Sequence, residues 1–406
     1  MDDQGAIFVL PTTTVGQVGP VAGWISACGW AAAAERELGR AWIVTPHGIL
    51  TVAEVRRRAA AAVTASAPGS RRARRTVPTV VKTLFKDARE ARRARGFEVS
   101  PEGPWTAVQA ELTFVWQRHE LFHTAGIDLA EELRVPSVLF VPALIVWQAE
   151  QWGVRRPGWG RWLERTAERP ALQRASLVAC GTDVVAEHAA RRGVPDDRLL
   201  VTPTGVDLAL FGGSVDRSAS RRSLGVDDDE VVIGWAGSFR AFHQLDQLVH
   251  ATAQIAGASL LLVGDGPERV RVEALAGALG VQARFTGVVP HEDLPRLLGA
   301  MDVGVVLARV DAPFHYSPLK VAEYLAAGLP VVVPTVAQLA DRLQEGREAA
   351  FFPPGDVRAL ASVLRSLVID PDRRLRLAAG ARKVAQDWAW DRQVARVRDR
   401  LDTLRG

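Results

Sequence analysis

Phe314-His-Tyr-Ser-Pro-Leu-Lys-Val-Ala-Glu-Tyr-Leu-Ala-Ala-Gly-Leu-Pro-Val-Val-Val333 holds a polar loop, a helix and a strand in one short run. Lys320 and Glu323 stand three residues apart, on one face of the helix. Gly328 ends that helix, and Pro330 leads into a strand of β-branched residues. A carboxylate in the first turns of a helix beside a strand end can grip a ribose diol. The N–H groups of the preceding loop can meet an anionic diphosphate. The stretch predicts an α/β fold with a nucleoside-diphosphate ligand.

Outward from this stretch the same rhythm runs through the chain. Strand-like runs occur at Ala6–Leu10, Trp42–Thr45, Glu111–Trp116, Ser137–Val141 and Ala175–Cys180. In the second half they occur at Val231–Trp235, Ser259–Val263, Ala283–Thr286, Val303–Leu307, Val331–Val333 and Ala350–Phe352. Helical patterns fill most intervals, with Thr182 as the cap of a helix from Asp183 to Arg192. The alternation predicts two doubly wound Rossmann-like domains facing each other, with the carboxyl ends of both sheets around one cleft. The expected bounds are 1–205 and 206–385, with a last helix in 386–406 crossing back to the first domain.

Apolar residues make up 48% of the 406 and charged residues 24%, which is ordinary for a globular protein with full cores. Val21–Ala34, the longest uncharged apolar stretch, is too short to span a bilayer. Met1-Asp-Asp opens the chain without a basic-then-apolar leader pattern, so a cytoplasmic location is expected. Cys28 and Cys180 make neither a disulfide framework nor a metal cluster, and no other metal-ligand spacing stands out. The absence of a Gly-x-x-x-x-Gly-Lys-Ser/Thr loop argues against an ATPase, and that of a Gly-x-Ser-x-Gly elbow against an α/β-hydrolase.

Net charge is only +4, yet Arg56–Arg95 is dense in arginine and lysine with Asp87 and Glu90 as its only acids. Two readings stand side by side: a solvated surface, or a patch for an anionic acceptor or an anionic membrane face. The second would put the protein peripherally on the inner membrane face. Nucleic acid is disfavoured, because only Phe85 interleaves with these cations and no binding motif surrounds them.

Four segments fall in a fixed order in the second half. They are Gly234-Trp-Ala-Gly-Ser-Phe-Arg-Ala-Phe-His243, Leu261-Leu-Val-Gly-Asp-Gly-Pro267, Phe285-Thr-Gly-Val-Val-Pro290 and the opening stretch. Cys180-Gly-Thr-Asp-Val184, Arg192-Gly-Val-Pro-Asp-Asp-Arg-Leu-Leu-Val201 and Pro203-Thr-Gly-Val-Asp207 extend the set into the first half. Together they resemble the family 4 glycosyltransferases, which have the GT-B fold, over Ala175 to Phe352. The resemblance implies a hexosyltransferase-type enzyme of EC class 2.4. It would move a sugar from a nucleotide-diphosphate donor to an acceptor hydroxyl with retention and without a required metal.

By that resemblance Gly237 and Ser238 would let backbone approach the diphosphate, and Arg240 or His243 would neutralise it as it departs. Gly264, Asp265 and Gly266 would turn near the nucleotide, and Val288 would flank the base. Glu323 would hold the ribose hydroxyls. The loop through His315, Tyr316, Ser317 and Leu319 to Lys320 would face the phosphates and the sugar. In the first half, Gly16 and Gly19 fall where the family carries a Gly-rich loop. Arg118, with His119 beside it, falls where a family histidine touches the donor sugar. A plain strand–helix turn at 12–19, and an Arg118–Glu120 pair, are the bland alternatives. Glu150 would bind acceptor hydroxyls or merely cap local structure.

Two departures matter. His243 stands where the family has lysine, so either Arg240 or a His243 with a raised pKa must carry the charge. His315 stands where a first glutamate is usual, and Lys320 of the Ser-Pro-Leu-Lys segment is the replacement. These losses motivate the alternative of a catalytically weak GT-B-fold partner that binds nucleotide sugar and assists another enzyme.

Overall fold

The computed structural model describes residues 4–11, 22–55, 57, 79–310 and 318–405. The chain divides into two compact units. The first contains Met1–Thr204 and Trp390–Gly406, the second Gly205–Phe314 and Pro318–Ala389.

The first unit is built on a seven-stranded sheet in the order β3-β2-β1-β4-β5-β6-β7. Its strands are β1 (Gln4–Val9), β2 (Gly39–Thr45), β3 (Gly48–Leu50), β4 (Leu112–Arg118), β5 (Ser137–Val141), β6 (Leu177–Cys180) and β7 (Leu199–Val201). All neighbours pair in parallel except β2 and β3, a hairpin at one edge. Residues of β1 and β5 are buried on both faces, which is why they read as unbroken apolar runs rather than alternating ones. Thr182 caps the helix Asp183–Ala190 as expected, its hydroxyl accepting from the Val185 amide at 3.3 Å. The last helix, Trp390–Arg405, packs on Ala22–Leu38. There the Trp30 and Trp390 rings lie 5.6 Å apart, and Arg36 grips Asp391 with two bonds of 2.8 and 2.9 Å.

The second unit has a six-stranded parallel sheet: β8 (Val231–Ala236), β9 (Ala258–Val263), β10 (Ala283–Gly287), β11 (Val303–Val305), β12 (Val331–Pro334) and β13 (Ala350–Phe352). Their order, β10-β9-β8-β11-β12-β13, reverses direction between β8 and β11. In a doubly wound sheet that reversal opens a crevice at the carboxyl ends of the two strands, where ligands bind. Leu245–Thr252 packs against Val357–Ile369, and Leu319–Ala326 against Pro371–Ala385. The core they enclose runs from Ile233 and Leu262 to Val332, Leu360 and Leu364.

Candidate active site

β8 delivers Trp235, fully buried, and then Gly237, whose φ of +150° carries the chain out of the strand. β9 ends likewise at Gly264, with φ +119°. A Cβ at Gly264 would stand 1.9 Å from the Gly237 carbonyl oxygen, so the two strand-end loops touch backbone to backbone. The Gly237 amide donates to Val263 O and the Phe239 amide to Asp265 O, both at 2.9 Å. Gly237, Ser238 and Arg240 stay exposed, while Phe239 is wholly buried between them and anchors the loop.

The helix Leu319–Ala326 brings Lys320 and Glu323 to these loops. Pro318 offers no side-chain cap, and among the described residues no side chain bonds the first-turn N–H groups, an arrangement suited to an anion. The helix is clamped to β8 by Tyr324, whose hydroxyl accepts from the Ala236 amide at 2.7 Å. Lys320 Nζ lies 3.9 Å from the centroid of the Trp235 indole and would be 2.9 Å from a Cβ at Gly237. Loss of water pushes its pKa down to about 7, with Glu323 opposing the shift.

His243 sits 5.2 Å from Trp235 and 4.3 Å from Phe242, ring to ring. Burial, then the Lys320 and Arg240 charges, push its pKa down to about 2. This corrects one expectation. A raised pKa at His243 is not what the site provides, since removing water from an imidazole beside two cations favours its neutral form. The fixed cation of this loop is Arg240.

Glu323 is only 4% exposed. Its Oε1 lies 2.6 Å from His291 Nε2, and among the described residues its Oε2 takes no side-chain partner. The His291 ring rests 5.2 Å from Phe211. Val288, expected at the base, is exposed at the end of β10, beside Gly287, whose carbonyl accepts from the Gly264 amide at 2.9 Å.

In the first unit the geometry departs from expectation. Arg118 is half-buried and its Nη1 bonds Glu120, which is the bland alternative weighed for it. His119 is 1% exposed and its Nε2 lies 3.1 Å from Glu168 Oε1. A side chain enclosed in this way does not reach a donor sugar. Glu168 ends a π-helical turn, Glu164–Glu168, and also accepts from the Ile145 amide at 2.5 Å. Burial pushes the Glu168 pKa up, but the bond and charge of His119 and the Ile145 amide outweigh it, and the net shift is downward. Glu150 is exposed on the helix Ile145–Gln151. Gly16, Gly19, His315, Tyr316 and Ser317 lie outside the described residues.

The second unit therefore assembles Gly237, Ser238, Arg240, His243, Gly264, Asp265, Gly266, Lys320 and Glu323 at one end of one sheet. Trp235, Tyr324 and His291 belong to the site but carry no motif of their own. Trp235 reads as a core strand residue, and His291 as the start of a helix. Among the described residues no group of three or more His, Cys, Asp or Glu is placed to hold a metal.

Residues 230–370 match the family model described as "Glycosyl transferases group 1". A 2-deoxystreptamine N-acetyl-D-glucosaminyltransferase of Streptomyces fradiae is 32% identical over 229 residues, covering 54% of this chain and 53% of the relative. A D-inositol 3-phosphate glycosyltransferase of Xylanimonas cellulosilytica is 33% identical over 236 residues, covering 55% and 56%. The chain thus spans about half the length of the curated relatives it matches. Among solved structures, HepE of Anabaena in complex with UDP and glucose superposes with a TM-score of 0.67 at 16% identity, covering 98% of this chain and 100% of that one. A sucrose-phosphate synthase of Thermosynechococcus elongatus gives 0.65 at 20%, covering 99% of each. The reversal of strand order, the touching glycine loops and these likenesses agree: the chain has two Rossmann-like domains of the GT-B fold, and its residues 230–370 are a group 1 glycosyltransferase domain.

Proposed function

We propose that this protein transfers a sugar from a nucleoside-diphosphate donor to an acceptor hydroxyl, with retention at the anomeric carbon and without a metal. The observation that carries this is the convergence of Gly237, Lys320 and Glu323 on the crevice where the second sheet reverses. The exposed Gly237–Ser238 backbone, the first turn of Leu319–Ala326, Lys320 and Arg240 receive the diphosphate. Glu323 accepts from the ribose hydroxyls. Charge that grows on the leaving diphosphate as the C1–O bond breaks is met by Lys320 and Arg240, which lowers the barrier without any rearrangement of solvent. The acceptor oxygen bonds C1 from the face the diphosphate leaves, and its proton passes to the departing phosphate oxygen. No enzymic nucleophile is needed.

A thermal-shift panel of UDP, ADP, GDP and their sugars selects the donor, since a specific ligand raises the melting temperature with its affinity and concentration. Turnover is then screened with 2-deoxystreptamine and D-inositol 3-phosphate, the compounds in the relatives' names. A panel without any stabilising nucleotide, and no donor consumed with any acceptor, overturns the proposal.

One observation favours an anionic lipid surface as a second contact. The helix Thr79–Ala94 is turned inside out: Asp87 is buried against Arg156 and Trp159, and Glu90 faces His123. Its outward face carries Val81, Leu84 and Phe85, the last 71% exposed, among exposed Lys82, Lys86, Arg89, Arg92 and Arg93. Exposed apolar side chains ringed by cations suit the boundary of anionic headgroups and acyl chains. No helix of the described residues is long and apolar enough to cross a membrane. Docking on the inner membrane face of the cytoplasm follows from this reading.

A further inference from the structure

We propose that His291 is the positioning residue of the nucleotide site: its imidazole holds the Glu323 carboxylate so that the remaining oxygen accepts from the ribose diol. The inference rests on the donor reading above. Glu323 is nearly enclosed, and an enclosed carboxylate with no donor is costly and free to turn away. The 2.6 Å contact from His291 Nε2 satisfies Oε1. An ionised carboxylate offers about four acceptor positions, so the bond leaves capacity for two ribose hydroxyls.

His291 is itself braced. It begins the turn His291–Asp293 after β10, and its ring rests 5.2 Å from Phe211 of the short helix Leu208–Phe211. That helix is capped by Asp207, which accepts from the Ala209 amide at 3.1 Å. The charged groups acting on the imidazole are Glu323 from the helix Leu319–Ala326, Glu292 from its own turn and Asp207 from the facing cap. All three are acids. Burial favours the neutral ring, but these carboxylates prevail and the pKa of His291 is raised. Protonated, the ring must donate through Nε2; neutral, it donates only in one tautomer. The grip on Glu323 therefore weakens as pH rises through the folded pKa of His291.

The test is the ratio of UDP affinity to 2′,3′-dideoxy-UDP affinity, measured calorimetrically on the full chain. The ratio isolates the ribose hydroxyls and cancels the titration of Lys320 against the phosphates. Replacing His291 by Ala should lower it by about tenfold, as loss of a hydrogen bond to a charged group does. Glu323→Ala should lower it at least as much, and the double variant no further. A normal ratio in His291→Ala with a reduced one in Glu323→Ala overturns the role of His291 and leaves the donor reading standing. A normal ratio in Glu323→Ala overturns the ribose contact itself. Wild-type protein gives an answer free of folding artefacts: the ratio should fall between about pH 6 and about pH 9, and a flat profile overturns the proposal.

Discussion

The Lys320 ammonium stands 3.9 Å over the indole of Trp235, a ring with no exposed surface of its own. A desolvated cation over an indole gains about 2 kcal/mol from the ring's negative face. The same desolvation makes the charge expensive, and the pKa falls to about 7. On the proposed donor reading, an arriving diphosphate, rather than water, would complete the surroundings of this lysine.

Proton uptake on ligand binding follows. At about pH 8 a lysine with a pKa near 7 is mostly neutral, and a phosphate anion beside it raises that pKa. Binding of UDP should therefore take up close to one proton at about pH 8 and almost none at about pH 6, where both states are charged. Calorimetry in two buffers of different ionisation heat reads the uptake directly. Lys320→Met should abolish it and weaken UDP by about tenfold or more, as loss of a charge-assisted hydrogen bond does. Equal heats in both buffers at the higher pH would remove Lys320 from the phosphate site.

Arg240 and His243 should separate cleanly. His243 has a pKa of about 2 and is neutral at any working pH, whereas guanidinium is always charged. Arg240→Ala should lower kcat/KM by about a hundredfold, the scale of a lost oxyanion-stabilising donor. His243→Gln should change it little. The depressed His243 pKa also has a stability sign. The unfolded chain binds a proton at about pH 6.5 that the folded protein refuses, so stability falls as pH drops below that value. His243→Gln should be less acid-sensitive than wild type in chemical denaturation at about pH 5. Kinetic losses of equal size in the two variants contradict the assignment.

Much of this site is written locally, and the parts that are not depend on distant partners. Ser137–Val141 and Ala350–Phe352 coincide with β5 and β13 because apolar runs bounded by turn residues leave no other choice. The glycines at 237 and 264 announce strand-end loops for the same reason. Val303–Leu307 was expected as one strand and stops at Val305, although Leu307 remains buried in the core. Burial alone does not make a ladder. Arg118 reads as a sugar contact, yet it pairs with Glu120, and His119 beside it is enclosed by Glu168, brought near by a π-helical turn. No spacing rule joins His291 to Glu323 either, since they come from different crossovers of the sheet. The helix Thr79–Ala94 misleads in the other direction, because its acids face inward and its phenylalanine outward.

The His119–Glu168 pair should govern acid stability of the first unit. Both side chains have no exposed surface, and Glu168 also receives the Ile145 amide. Glu168→Ala strands two buried donors, and breaking such a pair costs about 3–5 kcal/mol. Because the folded pKa of Glu168 is depressed, its contribution is present above the unfolded value of about 4.5 and is lost as pH falls through the folded value. Glu168→Gln keeps the shape and removes the charge. The gap between wild type and this variant in urea denaturation should be constant near neutrality and should close as pH drops below about 4.5. A gap that persists undiminished at low pH shows that the carboxylate charge is not what stabilises the strand end.

Phe85 offers the sharpest measure of membrane docking, because it is 71% exposed and its loss leaves no cavity. Partition of apolar side chains into the interface adds to the attraction of lysine and arginine for anionic headgroups, about 1 kcal/mol for each cation near the surface. Phe85→Glu should therefore lower affinity for vesicles rich in phosphatidylserine by about tenfold, through both lost burial and added repulsion. Lys82→Glu with Lys86→Glu should act similarly and should steepen in low salt, where screening is weakest. Neither change touches Asp87, whose bonds to Arg156 and Trp159 hold the helix in place, so folding should be unaffected. Sedimentation with vesicles of zero, moderate and high anionic content distinguishes the two components: Phe85→Glu reduces binding wherever wild type binds, and the lysine changes matter only on charged lipid. Wild-type protein that stays in solution at every composition ends the membrane reading and leaves the outward apolar face without a lipid role.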